Sequence, residues 1–278
     1  GVRFRWTRPV PPEAKSYRVK LDHAGHWHIG FAVVPPPIEG PGTGAVVGVD
    51  RGVVCSAALS TGEMWHCPQP DRTVERRARR RLRRAKPGSR RREQARRRLA
   101  VVMARDASRR KDWAEKASTD LARRFDVVRM EDLRIASMVR SAKGTVENPG
   151  RNVRQKSRLN QVILTQGWGR LARRTKDKIG DRLELVPAAF TSQRCSCCGH
   201  VASESRESQA WFRCVACDFS DNADVNAARN IAAGHAVTAR GGLGVINLPV
   251  KREPQQSLTG QLESLAFARQ GGRQNRYR

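Results

Sequence analysis

The feature that most constrains the fold of this chain is a pair of Cys-x-x-Cys motifs separated by fifteen residues. Cys195 and Cys198 form the first motif, and Cys214 and Cys217 form the second. At this spacing four thiolates can converge on one tetrahedral Zn²⁺, which is the ligand set of a structural zinc ribbon. Because four thiolates fill the coordination sphere of zinc, any metal-assisted chemistry would need other ligands.

The chain of 278 residues has seven cysteines, no secretory signal and no Met at its first position. Without a signal peptide, paired Cys-x-x-Cys motifs indicate zinc binding in a reducing compartment rather than a disulfide framework. We therefore expect a bacterial-type cytoplasmic protein associated with the nucleoid. The Gly at the first position suggests a fragment, or a product cut from a longer protein.

The charge of the chain predicts a polyanionic partner. Lys and Arg number 54 against 26 Asp and Glu, which gives a formal net charge of +28. Nucleic acid is the first candidate and an anionic membrane surface is the second. Since the sequence has no long apolar segment, we expect nucleic-acid partners, no membrane association and no small-molecule substrate.

The order of predicted elements is that of an α/β protein. Alternating polarity around a turn predicts a β-hairpin over residues 16–21 and 27–33, and a Pro- and Gly-rich linker follows over 35–44. Apolar β-branched runs predict strands at residues 45–50, 53–59, 64–67, 126–130 and 183–186. Helical periodicity predicts helices over residues 73–86, 90–124, 159–179 and 221–238. A mobile loop is expected at 139–156, and the last residues, 241–278, lack periodicity and are expected to be a disordered basic tail.

Three carboxylates stand at informative places in this order, which is the order of a ribonuclease-H-like mixed sheet. In that fold, acids at the end of the first strand, at the end of the fourth and near the start of the last helix meet at one end of the sheet. Those acids are Asp50, Glu131 and Asp224. Together they could hold two Mg²⁺ about 3.5–4 Å apart, an arrangement that cleaves phosphodiesters. Their hard oxygen atoms suit magnesium as thiolates suit zinc.

Each acid also has a plain structural interpretation. Asp50 could be a turn residue, Glu131 a surface acid beside Asp132, and Asp224 a residue that favours a helix N-terminus. The coincidence of all three in so basic a chain favours the metal site, because a cluster of carboxylates needs a counterion.

The two helices around residue 87 are crowded with arginine. We assign phosphate contacts to the following residues: Arg76, Arg80, Arg83, Arg84, Arg91 and Arg97. The alternative is a solvated surface, because the arginines go around the helices rather than along one stripe. Trp113, Trp168 and Trp211 could stack on bases, although packing in a core is the commoner role of tryptophan.

Four sequence motifs resemble the TnpB (OrfB) family of transposon-encoded nucleases, which are related to the compact type V CRISPR effectors. They are GVDRGVVCSAALSTGE at 48–63, VVRMEDLRIASM at 127–138, TSQRCSCCGHV at 191–201 and DNADVNAARNI at 221–231. The similarity extends over residues 2–234 and includes VRFRW at 2–6 and GWG at 167–169.

The resemblance implies an RNA-guided DNA endonuclease with a RuvC-like site, whose partners are a guide RNA and its target DNA. It assigns Asp50, Glu131 and Asp224 as catalytic acids and the four cysteines as the zinc ligands. Family members usually have a longer N-terminal part, with the rest of a wedge β-barrel and a helical recognition lobe. The implied organisation is a barrel remnant at 1–40, a RuvC-like domain at 41–190 with an inserted zinc ribbon at 191–220, and its last helix at 221–240.

Two other functions are compatible with the same residues. A non-catalytic nucleic-acid-binding remnant would keep the acids without a working site. A transposase acting in DNA strand transfer would use the same acids and would also need to bind transposon ends.

Overall fold

A computed structural model describes residues 9–234 of the chain. Its centre is a mixed sheet of five strands in the order β5-β4-β3-β6-β7. The strands of this sheet are β3 (Val46–Asp50), β4 (Ala57–Leu59), β5 (Met64–Trp65), β6 (Val127–Glu131) and β7 (Leu183–Val186). β3, β4 and β5 form an antiparallel meander, whereas β6 pairs in parallel with both β3 and β7. The first strand of the sheet is therefore its middle strand.

Six α-helices accompany the strands within residues 9–234. They are α1 (Arg72–Arg84), α2 (Arg90–Arg124), α3 (Ile135–Met138), α4 (Val153–Thr165), α5 (Trp168–Ile179) and α6 (Ala223–Ala232). The main core lies between the sheet and the helices α2 and α5, with Val47, Val49, Leu121, Met130 and Leu171 at its centre. Because side chains alternate across a strand, Gly48 faces the opposite side of the sheet, where α6 packs.

The ends of the helices follow from local chemistry. Asp71, Ser89 and Asn222 cap α1, α2 and α6 by accepting hydrogen bonds from backbone N–H groups of the first turn. Between α1 and α2, Gly88 adopts a positive φ of 77°, which turns the chain back on itself. Arg92 then donates to the carbonyl oxygens of Leu82 and Ala85, both at 3.1 Å, and closes the hairpin of the two helices.

Several predicted elements differ from the structure. The strand predicted over 53–59 covers only Ala57–Leu59. The structure has two helices where a single helix was predicted over 159–179. Gly167 has a φ of 75°, which interrupts the helical hydrogen bonds between α4 and α5. The end of the predicted mobile loop, residues 153–156, belongs to α4. The helix predicted over 221–238 ends at Ala232, and Gly234 follows with a φ of 70°.

The Pro- and Gly-rich segment predicted as a linker is packed against the end of α2. Asp126 accepts hydrogen bonds from the N–H groups of Gly42 at 2.8 Å and Gly44 at 2.6 Å, and Ile38 packs on the main core. Arg182 donates to the carbonyl oxygen of Phe125 at 2.8 Å and also to that of Ile38. These bonds come from residues distant in sequence, so the local composition does not reveal them.

The N-terminal hairpin consists of β1 (Tyr17–Leu21) and β2 (Trp27–Phe31), paired antiparallel in a separate sheet. Asp22 holds its turn by accepting from the N–H groups of Ala24 and His26. The VRFRW motif at 2–6, the end of the predicted last helix at 235–240 and the predicted tail at 241–278 lie outside the described residues. Within residues 9–234, no helix is both long enough and apolar enough to cross a bilayer.

Candidate functional site

The first two acids lie on neighbouring parallel strands. Asp50 ends β3 and Glu131 ends β6, and the register that pairs Val49 with Met130 brings the two acids to the same end of the sheet. Asp224 lies in the first turn of α6, which packs across β3. The structure therefore brings these acids to one end of the sheet from three separate segments of the chain.

Gly48 allows the close approach that brings Asp224 to this end. A Cβ atom at residue 48 would lie 2.0 Å from the carbonyl oxygen of Ala228 and 2.3 Å from the nitrogen of Ala232. Both are backbone atoms of α6, so any side chain here would push the helix away from β3. The motif GVD thus combines a glycine that seats α6 with an acid that α6 approaches.

The acids share a buried, negatively charged environment. Burial raises the pKa of Asp50 well above its usual range, and the charges of Glu131 and Asp224 raise it further. Burial also raises the pKa values of Glu131 and Asp224. Glu131 is only 8% exposed. A cation placed among these carboxylates would let them stay ionised together.

Two arginines that the sequence analysis did not select lie beside the acids. Arg206 places a guanidinium nitrogen 3.8 Å from a carboxylate oxygen of Asp224, and its charge lowers the pKa of Asp50, Glu131 and Asp224 against the effect of burial. Arg51 is buried and donates to the backbone carbonyl of Glu131. Arg51 follows Asp50 directly, so its place in the sequence could have suggested a position in the site. Arg206 lies in an irregular stretch where no sequence pattern indicates that it approaches the acids.

Glu131 and the ribbon are tied together through Thr191. The hydroxyl of Thr191 donates to a carboxylate oxygen of Glu131 at 2.6 Å. Asn230 of α6 donates to the carbonyl oxygens of Thr191 at 2.9 Å and of Arg194 at 2.7 Å, and Asn226 donates to that of Arg194 at 2.8 Å. The helix that carries Asp224 therefore also holds the segment that orients Glu131.

The loop after Asp50 is fixed by the junction of α4 and α5. Gln166 is 3% exposed; its amide donates to the carbonyl of Val53 and accepts from the hydroxyl of Ser56 at 2.5 Å. The indole nitrogen of Trp168 donates to the carbonyl oxygen of Gly52 at 3.1 Å. Val53 and Trp168 also share a small apolar cluster, and Leu133, just past Glu131, packs against that cluster. The GWG motif thus supports the backbone next to the acids.

The four cysteines come together as one group. Within the described residues their sulfur atoms all lie within 4.8 Å of one another, whereas the three carboxylates form no cluster this tight. The Sγ atoms of Cys195 and Cys217 are 3.8 Å apart, and those of Cys198 and Cys214 are 3.6 Å apart. A tetrahedral Zn²⁺ with Zn–S bonds of about 2.3 Å requires sulfur atoms about 3.8 Å apart. These separations fit such an ion and are too long for disulfide bonds.

The remaining cysteines take no part in this cluster. Cys197 is exposed on the first motif, and Cys55 and Cys67 are buried in or beside the sheet. Burial raises the pKa of both Cys55 and Cys67 to about 11. They behave as apolar packing residues, as their place in strand-like segments suggested.

The arginines of α1 and α2 form an exposed basic surface. All six that the sequence analysis assigned to phosphate contacts are exposed: Arg76, Arg80, Arg83, Arg84, Arg91 and Arg97. Arg97 also pairs with Glu93 at 2.7 Å. Since exposed ion pairs are weak, this pairing leaves the guanidinium available to a polyanion.

The three tryptophans considered for base stacking lie in different environments. Trp168 is 4% exposed and packs in the cluster below the acids, so it is a core residue. Trp113 is half-buried against the main core. Trp211 is 49% exposed on the ribbon. Of the three, only Trp211 presents about half of its surface to solvent.

Comparison with known proteins places these features in a family. A family profile described as "Probable transposase" (OrfB_IS605) matches residues 28–142, and one described as "Cas12f1-like, TNB domain" matches residues 168–231. Together they cover the segments that supply all three acids and the four cysteines.

Curated relatives match nearly the whole chain. The "Putative RNA-guided DNA endonuclease InsQ" of Escherichia coli K12 is 38% identical over 267 residues, which are 92% of this chain and 66% of the relative. A "Putative RNA-guided DNA endonuclease" of Streptomyces pristinaespiralis is 31% identical, over 92% of this chain and 64% of its own length. The chain thus spans about two thirds of the length of these relatives.

Similarity to Cas12f1 proteins is more local. The "CRISPR-associated endodeoxyribonuclease Cas12f1" of Sulfoacidibacillus thermotolerans is 48% identical over 56 residues, which are 20% of this chain and 13% of that protein. A solved Cas12f1–sgRNA–target DNA complex aligns with 78% of this chain and 55% of its own protein chain, at 19% identity and a TM-score of 0.40.

Proposed function

Because the chain belongs to the TnpB (OrfB) family, we propose that it is an RNA-guided DNA endonuclease that hydrolyses phosphodiesters at a RuvC-like acidic site. The observation that carries this proposal is the meeting of Asp50, Glu131 and Asp224 at one end of the sheet. The strand order, with β3 in the middle and β6 parallel to it, supports a ribonuclease-H-like arrangement of these acids.

The donor set fits hard divalent cations. Three carboxylates supply oxygen ligands. Burial raises the pKa of all three, and at Asp50 the charges of Glu131 and Asp224 raise it further; a bound cation would oppose both effects. Two Mg²⁺ ions, when bound, would activate a water molecule and stabilise the leaving oxygen of the phosphodiester. Asp50, Glu131 and Asp224 would hold the ions.

The neighbouring residues have defined tasks in this proposal. The hydroxyl of Thr191 orients Glu131 by its hydrogen bond to one carboxylate oxygen. Arg206 offsets part of the negative charge and stands close enough to Asp224 to meet a phosphate brought there. Gln166 and Trp168 hold the loop after Asp50, so this acid keeps its position relative to the other two.

The cysteine cluster would bind Zn²⁺ in a structural role. Four sulfur ligands leave no open coordination position, so the ion would stabilise the ribbon and take no part in cleavage. The ribbon in turn supports Thr191, and through it Glu131.

The proposed partners are a guide RNA and its target DNA. Two of the curated relatives are named RNA-guided DNA endonucleases, and the exposed arginines of α1 and α2 supply the charge that would hold an RNA–DNA duplex by its phosphates. Sequence choice would come from base pairing with the guide rather than from side chains.

The proposal is tested by purifying the protein with its bound RNA, sequencing that RNA and offering DNA complementary to it. We expect Mg²⁺-dependent cutting of the matching DNA, no cutting of a scrambled DNA, and no cutting by Asp50→Asn, although this variant should still retain the RNA. Heterogeneous RNA together with no cutting would overturn the proposal and favour a protein that only binds nucleic acid.

Strand transfer is a second candidate, because the profile that matches residues 28–142 is described as a probable transposase. The same acids could serve in that reaction. Joining of transposon ends by the purified protein would favour strand transfer, whereas cleavage without joining would favour the nuclease.

A further inference from the structure

The two acids of the sheet are held by their outer neighbours rather than by each other. Asp50 is in register with a residue of β4, and Glu131 is in register with a residue of β7. Between β3 and β6, however, the paired register ends at Val49 and Met130, one residue before the acids. Because neighbouring strands twist apart beyond their last pair, this register alone does not fix the distance between Asp50 and Glu131.

The side chain of Arg51 bridges this gap. Arg51 follows Asp50, and its guanidinium donates a hydrogen bond to the backbone carbonyl oxygen of Glu131. The residue is only 6% exposed, so the bond is shielded from competition by water. It joins β3 to β6 at the point where their paired register has ended.

The environment of Arg51 is one in which packing alone would favour an apolar side chain. Its guanidinium bonds to a main-chain atom, and within residues 9–234 its buried Nε has no hydrogen-bond partner. Burying a guanidinium with an unmet donor costs stability, and an apolar side chain of similar volume avoids that cost. An arginine at this position therefore points to a task in the acidic site.

The same segment also approaches the third acid. A Cβ atom at Gly52 would lie 3.6 Å from a carboxylate oxygen of Asp224. The three residues that begin at Asp50 thus supply one acid, bind the strand of the second and lie against the third. A shift of this segment would change the distances among all three carboxylates.

We propose that Arg51 is a positioning residue, which fixes the separation of Asp50 and Glu131 so that their carboxylates can hold the same divalent cation. Arg51 acts through the backbone of Glu131 and takes no part in the reaction itself. This inference rests on the proposed function and adds a residue on which the geometry of the acids depends.

A positional role and a purely electrostatic role of Arg51 predict opposite results. A fixed positive charge alone would repel a bound cation, so Arg51→Met would tighten cation binding and Arg51→Lys would leave it unchanged. If Arg51 holds the acids in place, both variants should bind the cation more weakly, because neither side chain has the planar guanidinium.

Mn²⁺ binding distinguishes these roles, measured by electron paramagnetic resonance on the zinc-loaded full chain freed of nucleic acid. Mn²⁺ takes the oxygen ligands that suit Mg²⁺, and the binding that Asp50→Asn removes defines the acidic site. We expect Arg51→Met and Arg51→Lys each to weaken that binding about 10-fold or more. Tighter binding by Arg51→Met, or unchanged binding by Arg51→Lys, would overturn the proposal.

Arg182 supplies a matched control at the opposite end of the sheet. Its guanidinium donates to the carbonyl oxygen of Phe125 at 2.8 Å, just before β6 begins. Arg182→Met therefore removes an arginine of the same chemistry from the same strand, and it should leave Mn²⁺ binding unchanged. An equal loss of Mn²⁺ binding in Arg182→Met would show that general loosening of the sheet, rather than Arg51, controls the site.

Amide hydrogen exchange with a chelator present separates this inference from the nuclease proposal, because it needs neither metal nor cleavage. Arg51→Met should speed exchange over residues 50–53 and 131–133 about 5-fold, the change expected for one net hydrogen bond, and spare residues 125–127. Arg182→Met should do the reverse. If Asp50→Asn removes no Mn²⁺ binding, the metal site of the nuclease proposal fails and exchange alone decides: unchanged exchange over 50–53 and 131–133 would overturn the role of Arg51.

Discussion

The indole nitrogen of Trp168 donates a hydrogen bond to the carbonyl oxygen of Gly52 at 3.1 Å, which links the start of α5 to the loop that follows Asp50. Trp168→Phe would remove this N–H and leave a buried carbonyl without its partner, and the smaller ring would also leave a cavity where the indole packs. We predict a loss of about 1–3 kcal/mol in the free energy of unfolding, measured by denaturant titration. Cleavage by the same variant should need more Mg²⁺ for half-maximal rate, because Asp50 would be held less firmly. Trp27→Phe, on the exposed hairpin, should change the free energy of unfolding by less than about 0.5 kcal/mol. Equal stabilities of the two variants would contradict the role of this bond.

Gly48 should tolerate no side chain. We predict that Gly48→Ala lowers the free energy of unfolding by at least about 2 kcal/mol and abolishes cleavage, because its Cβ would displace the backbone of α6 from β3. Gly30→Ala is the matched control, since a Cβ at residue 30 of β2 meets nothing within 4 Å. Similar effects of the two substitutions on thermal unfolding would argue against close packing as the reason.

Asp50→Asn should stabilise the metal-free protein while it abolishes cleavage. The folded pKa of Asp50 is raised, so its ionised form destabilises the folded state, and stability increases as pH falls through that raised pKa toward the ordinary value of 3.8. Asn cannot ionise, so we predict a gain of about 0.5–2 kcal/mol at pH 7 with a chelator present, and a weaker increase of stability toward acid pH. Asp112→Asn, at a surface pair with Lys116, should change neither the stability at pH 7 nor its increase toward acid pH. A loss of stability in Asp50→Asn would contradict the electrostatic account.

Glu63 should contribute stability that acid removes. Its carboxylate accepts from both terminal nitrogens of Arg124, and this pairing lowers its pKa from 4.5 to about 2. A lowered folded pKa gives stability that is present above pH 4.5 and is lost as pH falls to about 2. The carboxylate is 40% exposed, so we predict that Glu63→Gln costs only about 0.5–1 kcal/mol at pH 7. Urea titrations of both proteins should give that difference at pH 7 and none near pH 2. A difference that persists at the lower pH would exclude this ion pair as its source.

Cys214→Ser should release the metal and unfold the ribbon. We predict that the metal content falls from about one zinc per chain to none, with a lower unfolding temperature, because ligand binding and folding of such sites are coupled. Cys197→Ser is the control, because Cys197 lies in the same motif but is exposed and outside the cluster. Full zinc content in Cys214→Ser would show that Cys214 is not a ligand.

The features that could be predicted from sequence are those with a local signal. The long α2 is bounded by Ser89 and by the run that begins β6, and its predicted ends coincide with the observed ones. The clustering of the four cysteines could be predicted because two Cys-x-x-Cys motifs at this spacing can place four sulfur atoms around one ion. Asp50, Glu131 and Asp224 were selected from the order of elements, and the structure brings them to one end of the sheet.

The features that could not be predicted depend on contacts between distant segments. Gly167 sits within a continuous apolar pattern, so periodicity predicted one helix where there are two. Asp126 accepts a hydrogen bond from Gly42, 84 residues away in sequence, so the composition around Gly42 could not indicate that the predicted linker is packed. Arg206 approaches Asp224 from an irregular stretch of the ribbon, where no periodic pattern indicates its position. Local propensity contains no information on such partners.

The amides of Asn226 and Asn230 give the ribbon a significance beyond its own folding. They are on the same helix as Asp224, and they hold the backbone at Thr191 and Arg194. A shortened descendant of this protein could shed surface loops, but deleting the ribbon together with Thr191 and Arg194 would break these three hydrogen bonds and leave both amides unmatched at the edge of the acidic site. The length of the protein therefore has a lower limit, because the helix that holds the third acid in place also depends on the segment that begins the ribbon.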